Sequence, residues 1–228
     1  MPRRFRNLWQ ASRYYGYRAI SRGLGLHVSR VFILDLKRTP PITADRYDLT
    51  YRFLTADDVW SFAADPANDL EASMVDRLAD GNDLCFAALD GSTLVNYNWY
   101  AISGVEAEHA MGVPIRFGND TAYLYKAYTR PEYRGRGINF PAVVRAFHAL
   151  HQRGVRRVMG IVECVNWSSL ASYGHFQPQQ LGRLITLGHR KPWWAHYPRG
   201  AAAEAIEFGK TPSERCARSP ESLTAVEA

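Results

Sequence analysis

From Ala127 to Phe140 the chain reads Ala-Tyr-Thr-Arg-Pro-Glu-Tyr-Arg-Gly-Arg-Gly-Ile-Asn-Phe. Arg134, Gly135, Arg136 and Gly137 lie between a strand-like run, Thr121 to Thr129, and a helix-like one, from about Asn139 to Gln152. Glycine lets the backbone turn tightly and leaves no Cβ in the path of an approaching anion. The first amides of a helix have no partner within it and carry positive partial charge. Backbone N–H groups from about Gly135 to Phe140 could therefore surround a pyrophosphate, with Arg134 or Arg136 supplying full charge. Pro141 suits the first helical turn, where its missing N–H costs nothing. Ile138-Asn139 stands where a Walker loop needs Lys-Ser or Lys-Thr, and Phe140 where a dinucleotide fingerprint needs Gly. The competing reading is a plain strand-to-helix turn with exposed arginines.

A second segment, Asn166-Trp-Ser-Ser-Leu-Ala-Ser-Tyr173, follows the next strand-like run. Pro131-Glu-Tyr-Arg-Gly-Arg-Gly-Ile resembles the acetyl-CoA-binding motif of the GNAT superfamily of N-acetyltransferases, Arg/Gln-x-x-Gly-x-Gly/Ala, with Arg134 and Gly137 in register. Asn139 departs from the final Gly/Ala. Asn166, Ser169 and Tyr173 are similar to the family's Asn-x-x-Ser/Ala-x-x-x-Tyr segment, and Gln177-Pro178 replaces its usual Gly-Phe. The resemblance spans roughly residues 45–190. It implies a central, mostly antiparallel twisted sheet flanked by helices, in the mixed α/β (α+β) class. It also implies acetyl-CoA or another acyl-CoA as co-substrate. The expected cofactor-binding residues are Ala127, Tyr128, Thr129, Arg134, Gly135, Arg136, Gly137, Ile138, Asn139, Asn166 and Ser169. No metal is expected. The implied reaction is direct attack by an amine on the thioester carbonyl. In the family the Asn contacts the pantetheine arm and the Tyr protonates the leaving thiolate, which makes Tyr173 the expected general acid.

The base is open to more than one reading. Glu163 stands three residues before Asn166 and could face the acyl site, or it could pair with Arg153, Arg156 or Arg157 at an edge. Glu106, Glu108 and His109 are alternatives. Backbone N–H groups at the end of the strand Thr121–Thr129 could polarise the carbonyl. Tyr123 and Tyr125 line the cleft or pack beside it, and Tyr173 itself could be a packing aromatic. Cys164 has no His beside it in sequence, which argues against an acyl-enzyme. Trp193, Trp194, His196 and Tyr197 could form an aromatic wall beside the cleft or simply pack a strand.

The elements that would position these groups read β-α-α-β-β-β-α-β-α-β from Tyr47 onward. Tyr47 to Leu54 alternates as a strand, and Thr55 caps a helix with Asp58 three residues on. Leu70, Met74 and Leu78 recur on one face of a helix over 69–79. Leu84–Leu89 and Thr93–Ile102 flank Asp90-Gly91 as a hairpin. A strand within 155–165, a short helix over 168–176 and a last strand over 181–187 complete the order.

Three distant cysteines among 228 residues argue against a disulfide framework or a zinc site and fit a reducing compartment. The expected location is the cytoplasm, with the inner face of a membrane as a second setting. Residues 1–40 hold nine Arg or Lys against a single Asp35, a net of +8, so the remainder of this +6 chain sums to −2. The expected layout is a basic, aromatic-rich N-terminal extension over 1–44, an acyltransferase domain over 45–200 and a polar, disordered tail over 201–228. Arginines interleaved with Phe5, Trp9, Tyr15 and Ile20 suit peripheral contact of residues 1–40 with an anionic membrane. An arm packed on its own domain or on a homodimer partner is the competing reading, and nucleic acid is the less expected partner. The acceptor implied is a small-molecule amine such as an amino sugar or amino acid. The alternative function is a non-catalytic module of the same fold that uses its basic arm for binding.

Overall fold

The computed structural model describes residues 8–43, 46–71, 73–102, 104–107, 111–189 and 191–210. In chain order the elements are α1 (Leu8–Leu24), β1 (Leu26–Asp35), β2 (Thr50–Phe53), α2 (Ala56–Ala63), α3 (Ser73–Ala79), β3 (Asp83–Asp90) and β4 (Thr93–Ile102). Then come β5 (Gly104–Val105), β6 (Ile115–Arg116), β7 (Thr121–Thr129), α4 (Asn139–Gln152), β8 (Arg157–Glu163), α5 (Trp167–Gly174), β9 (Gln179–Leu187), β10 (Trp194–His196) and β11 (Glu207–Phe208). Eight strands form one sheet in the order β10-β9-β1-β8-β7-β4-β3-β2, and the shorter β11-β6-β5 form another. In the large sheet only β7 and β8 run parallel.

Local chemistry accounts for the elements nearest the split pair. Thr55 and Asp58 form a reciprocal capping box that starts α2. Gly91 takes φ 55° in the turn that pairs Asp90 with Thr93. α4 lays Val143, Ala146, Phe147 and Leu150 against Leu34, Tyr100, Ala122 and Val158 of the sheet. Each such side chain contributes about 1.5–3 kcal/mol by leaving water. The opposite face, with Val31, Ile33, Tyr123, Met159 and Leu184, is covered by the small sheet through Val105, Ile115 and Phe208. α2 and α3 cover Cys85, Ala87, Tyr97 and Trp99 on that same side.

The region that the sequence sets apart as an extension contains a central strand. β1 pairs antiparallel with β8 from Ser29↔Glu163 to Asp35↔Arg157, and on its other edge with β9. Val31, Phe32, Ile33 and Leu34 are all buried. A short run apolar on both faces is what an inner strand requires, and the surrounding arginines obscure it. At the other end, Ala201, Ile206 and Phe208 pack into the core, so ordered structure runs past residue 200. The remainder of the expected tail, 211–228, lies outside the described residues, as do Phe5, Glu108 and His109. Among the described residues no helix is long and apolar enough to cross a membrane, and no group of three or more His, Cys, Asp or Glu side chains could hold a metal.

Candidate active site

β7 and β8 stay together for only four register pairs, from Thr121↔Arg157 to Leu124↔Gly160. Beyond that point β7 continues against β4 and β8 against β1, so the sheet opens into a split. Tyr125 is the extra residue of a bulge at the same level, because Trp99 pairs with Lys126 and Tyr100 with Leu124. Among the described residues the edge of β7 facing the split has no ladder partner beyond Leu124.

On the α4 side of the sheet, Tyr100, Leu124, Gly160 and Phe32 form one row across β4, β7, β8 and β1. Only Gly160 leaves space in that row, and Tyr173 of α5 fills it. A Cβ on Gly160 would lie 2.0 Å from the Tyr173 hydroxyl and 2.4 Å from Cζ. The ring stacks on Phe32 at 5.6 Å. The hydroxyl is thus fixed where the split begins, with no hydrogen-bond partner among the described residues. Burial pushes its pKa up, so the hydroxyl keeps its proton at neutral pH.

A cleft of about 460 Å³ runs from the split between α4 and α5. Of the expected residues, Ala127, Tyr128, Thr129, Arg134, Asn139, Ser169 and Tyr173 line it. Gly135 and Gly137 adopt φ 78° and 77°, and added Cβ atoms there would meet nothing within 4 Å. These conformations strain any other residue. Arg134 donates from Nε to the Thr129 carbonyl at 2.8 Å, and Arg136 lies over the Tyr133 ring at 5.0 Å. Neither arginine has a carboxylate partner among the described residues, so both charges remain for an anion.

Three expected residues behave differently. Asn139 turns inward, where its Oδ1 accepts from Nδ2 of the fully buried Asn96 at 3.1 Å. Asn96 also donates to the Tyr128 carbonyl at 2.6 Å and Thr129 Oγ1 at 2.9 Å, and accepts from Asn98 at 3.1 Å. This polar chain ties the end of β7 to the start of α4, a place for Asn that the motif's usual Gly or Ala could not fill. Asn166 caps α5 through Oδ1, which accepts from the Ser169 amide at 3.2 Å, and it does not line the cleft. Ile138 is buried beneath the turn at 3% exposure and offers its backbone alone.

Glu163 lies on the opposite face of β8 from Tyr173. Its Oε1 is 3.1 Å from His27 Nδ1 on β1 and accepts from the Tyr17 hydroxyl of α1 at 3.4 Å. Tyr17 also accepts from the Val28 amide at 2.9 Å, and burial raises its pKa to about 12. The expected pairing of Glu163 with an arginine does not occur: Arg156 and Arg157 bind Asp120 instead. Burial, and then Glu163, push the Cys164 thiol up in pKa, which disfavours the thiolate an acyl-enzyme would need. Tyr125 donates to buried Asp83 at 2.5 Å, and Tyr123 packs in the core. Trp194 and His196 stand on β10, separated from β8 by β9 and β1, and none of Trp193, Trp194, His196 and Tyr197 lines the cleft. Asn96 and Asn98 had a legible signal, two amides on one face of a strand-forming run. His27, Tyr17 and Gly160 had none, since their roles depend on strand pairing.

No protein-family model matches the chain, and no curated protein matches it in sequence. Solved structures do. One is a Drosophila protein, 14% identical, with 79% of this chain and 58% of that one covered and a TM-score of 0.51. Another is a GCN5-related N-acetyltransferase from Sphaerobacter thermophilus, 15% identical, with 75% and 55% covered and a TM-score of 0.49. A third is an aminoglycoside acetyltransferase from an uncultured soil metagenome, 16% identical, with 57% and 88% covered and a TM-score of 0.43. The chain spans little more than half the length of the first two. Likeness at such identity concerns the fold alone. The split parallel pair, the Arg/Gly turn after one of its strands and the Tyr-bearing helix after the other are the arrangement that the two sequence motifs lead one to expect.

Proposed function

We propose that the chain is an acyl-CoA-dependent N-acyltransferase, with acetyl-CoA the expected donor and a small amine the acceptor. The observation that carries this reading is the Tyr173 hydroxyl, held against Gly160 where β7 and β8 part, at the inner end of the cleft. The cleft fits a coenzyme. Arg134 lines its outer end, next in the chain to two glycines of positive φ and Arg136, and its walls carry Phe140, Phe147 and serines of α5. Arg134, Arg136 and the amides of residues 135–140 would hold the pyrophosphate. The co-substrate supplies an activated acyl carbonyl, and the remaining work falls to the chain's own groups. Amides of β7 at the split stabilise the carbonyl oxygen as it becomes negative. Glu163, coupled to His27, takes the proton lost by the amine from one face of the sheet, and Tyr173 gives one to the departing sulfur from the other. A C–N bond forms and a C–S bond breaks.

Calorimetric titration with acetyl-CoA and longer acyl-CoAs tests the reading. Saturable micromolar binding is expected, at least about tenfold weaker in Arg134→Ala because a charge-assisted contact is lost. Tyr173→Phe should bind like the wild type yet turn over about a hundredfold more slowly. Absence of binding to every acyl-CoA would overturn the proposal, and a full-rate Tyr173→Phe would remove Tyr173 from the mechanism.

A further inference from the structure

The end of the sheet at which the split opens carries a second surface that the proposed chemistry leaves unused. α1 lies across that end. Its Tyr17 reaches Glu163, and the Arg13 guanidinium sits 4.5 Å from the Trp9 ring and 5.8 Å from that of Trp167, the first residue of α5. At helical spacing Trp9, Ile20 and Leu24 fall on one flank of α1, within about 60° of each other and along about 22 Å of its length. They are 59%, 48% and 64% exposed. The line continues past the helix. Gly25 approaches Gly188 so closely that an added Cβ would lie 2.5 Å from the Gly188 carbonyl carbon. A Cβ on Gly188 would in turn meet Trp193 Cδ1 at 3.2 Å. Trp193 and its neighbour Trp194 are 73% and 48% exposed.

The charge around this stripe has one sign. Neither residues 8–34 nor residues 180–200 contain an Asp or Glu, while Arg13 stands beside Trp9 on the stripe's own flank, Lys191 lies next to the exposed tryptophans in the chain, and Arg18 and Arg22 add charge on the far side of α1. Tryptophan and aliphatic side chains exposed among arginines suit the headgroup–acyl boundary of an anionic bilayer, where the rings and aliphatics enter and the cations meet lipid phosphates. Single-stranded nucleic acid would use the rings and the charge but leave Ile20 and Leu24 in water. We propose that α1, together with Trp193 and Trp194, forms a docking surface for an anionic lipid bilayer. Docked this way, the open end of the split faces the headgroups. Where the acyl-transfer reading holds, the acceptor amine or a long acyl chain then comes from the lipid phase.

The full chain is tested by co-sedimentation with vesicles of phosphatidylcholine alone and of phosphatidylcholine with about 30% phosphatidylglycerol. Binding to the anionic vesicles is expected to be about tenfold tighter, and to fall as ionic strength rises from about 0.1 to about 0.5 M. Ile20→Asp/Leu24→Asp, at two exposed sites, should lower it about tenfold again with unchanged thermal unfolding. Absence of vesicle binding, or equal binding by that variant, overturns the proposal. So does a dimer in sedimentation equilibrium that the variant dissolves while vesicles are ignored, or retention of an oligonucleotide in place of vesicles. No acyl-CoA enters the assay, so its failure leaves the acyl-transfer reading standing.

Discussion

Replacing Gly160 by alanine adds a single methyl group, and the structure fixes what that methyl meets. It would lie 2.0 Å from the Tyr173 hydroxyl, 2.4 Å from Cζ and 2.5 Å from Cε1, so the ring must withdraw by at least about 1 Å. Overpacking of this kind costs about 1–3 kcal/mol. Alanine returns about 0.5–1 kcal/mol in an ordinary strand conformation, because glycine loses more chain entropy on folding. The net expectation for Gly160→Ala is a loss of about 1–2 kcal/mol. In a Tyr173→Ala background the clash is gone, and the same change should be neutral or stabilising. Urea unfolding of the four proteins closes the cycle, with an expected coupling of about 1–3 kcal/mol. Turnover provides the second readout. A displacement of about 1 Å in a positioned group can cost about a hundredfold, so Gly160→Ala should lose about as much rate as Tyr173→Phe, and the double variant little more. Wild-type stability and rate in Gly160→Ala would refute the placement of the hydroxyl.

Asn96→Ala should destabilise the fold by about 1–3 kcal/mol in urea, since the buried Asn98 amide loses the acceptor that Asn96 provides. Acetyl-CoA affinity should fall with it in calorimetry, as the start of α4 loses its tie to β7. Glu163→Gln should lower turnover about a hundredfold with acetyl-CoA affinity unchanged, and an unchanged rate would exclude Glu163 as the base. Hydrogen bonds from Arg52 and Thr55 hold Asp58 well below the usual carboxylate range. That stabilisation is present above the unfolded value of about 4 and is lost as pH falls below it. The urea midpoint should therefore drop below about pH 4, less steeply in Asp58→Asn.

Sequence patterns reached those parts of the molecule whose cause is local. β4, β7 and α4 have the bounds read from the sequence, and the Thr55–Asp58 cap is present. The turn between β7 and the start of α4 was legible too, because its residues are contiguous in the chain. What escaped depends on residues far apart. β1 carries no strand-like alternation, being buried on both sides by partners about 125 to 160 residues later. Glu163 invited an arginine because Arg153 and Arg156 precede β8 and Arg157 opens it, yet Asp120 takes two of them and strand pairing brings His27 instead. The inward turn of Asn139 could be inferred only together with Asn96, and that contact spans the sheet.

The position of β1 between β8 and β9 also constrains how the chain reaches its fold. The strand is synthesised well before both of its neighbours. Until β9 has been made, the apolar run Val31–Leu34 has no permanent place. Pairings this distant in sequence close late and slow folding. β2, β3, β4 and β7 can zip together as successive antiparallel neighbours meanwhile, leaving the edge of β7 open. The half of the site carried by β7 is therefore assembled before the half carried by β8, and the N-terminal strand acts as the last seam. A chain shortened past Asp35 would lack that seam altogether, with β8 and β9 left as two exposed edges prone to pairing with other chains.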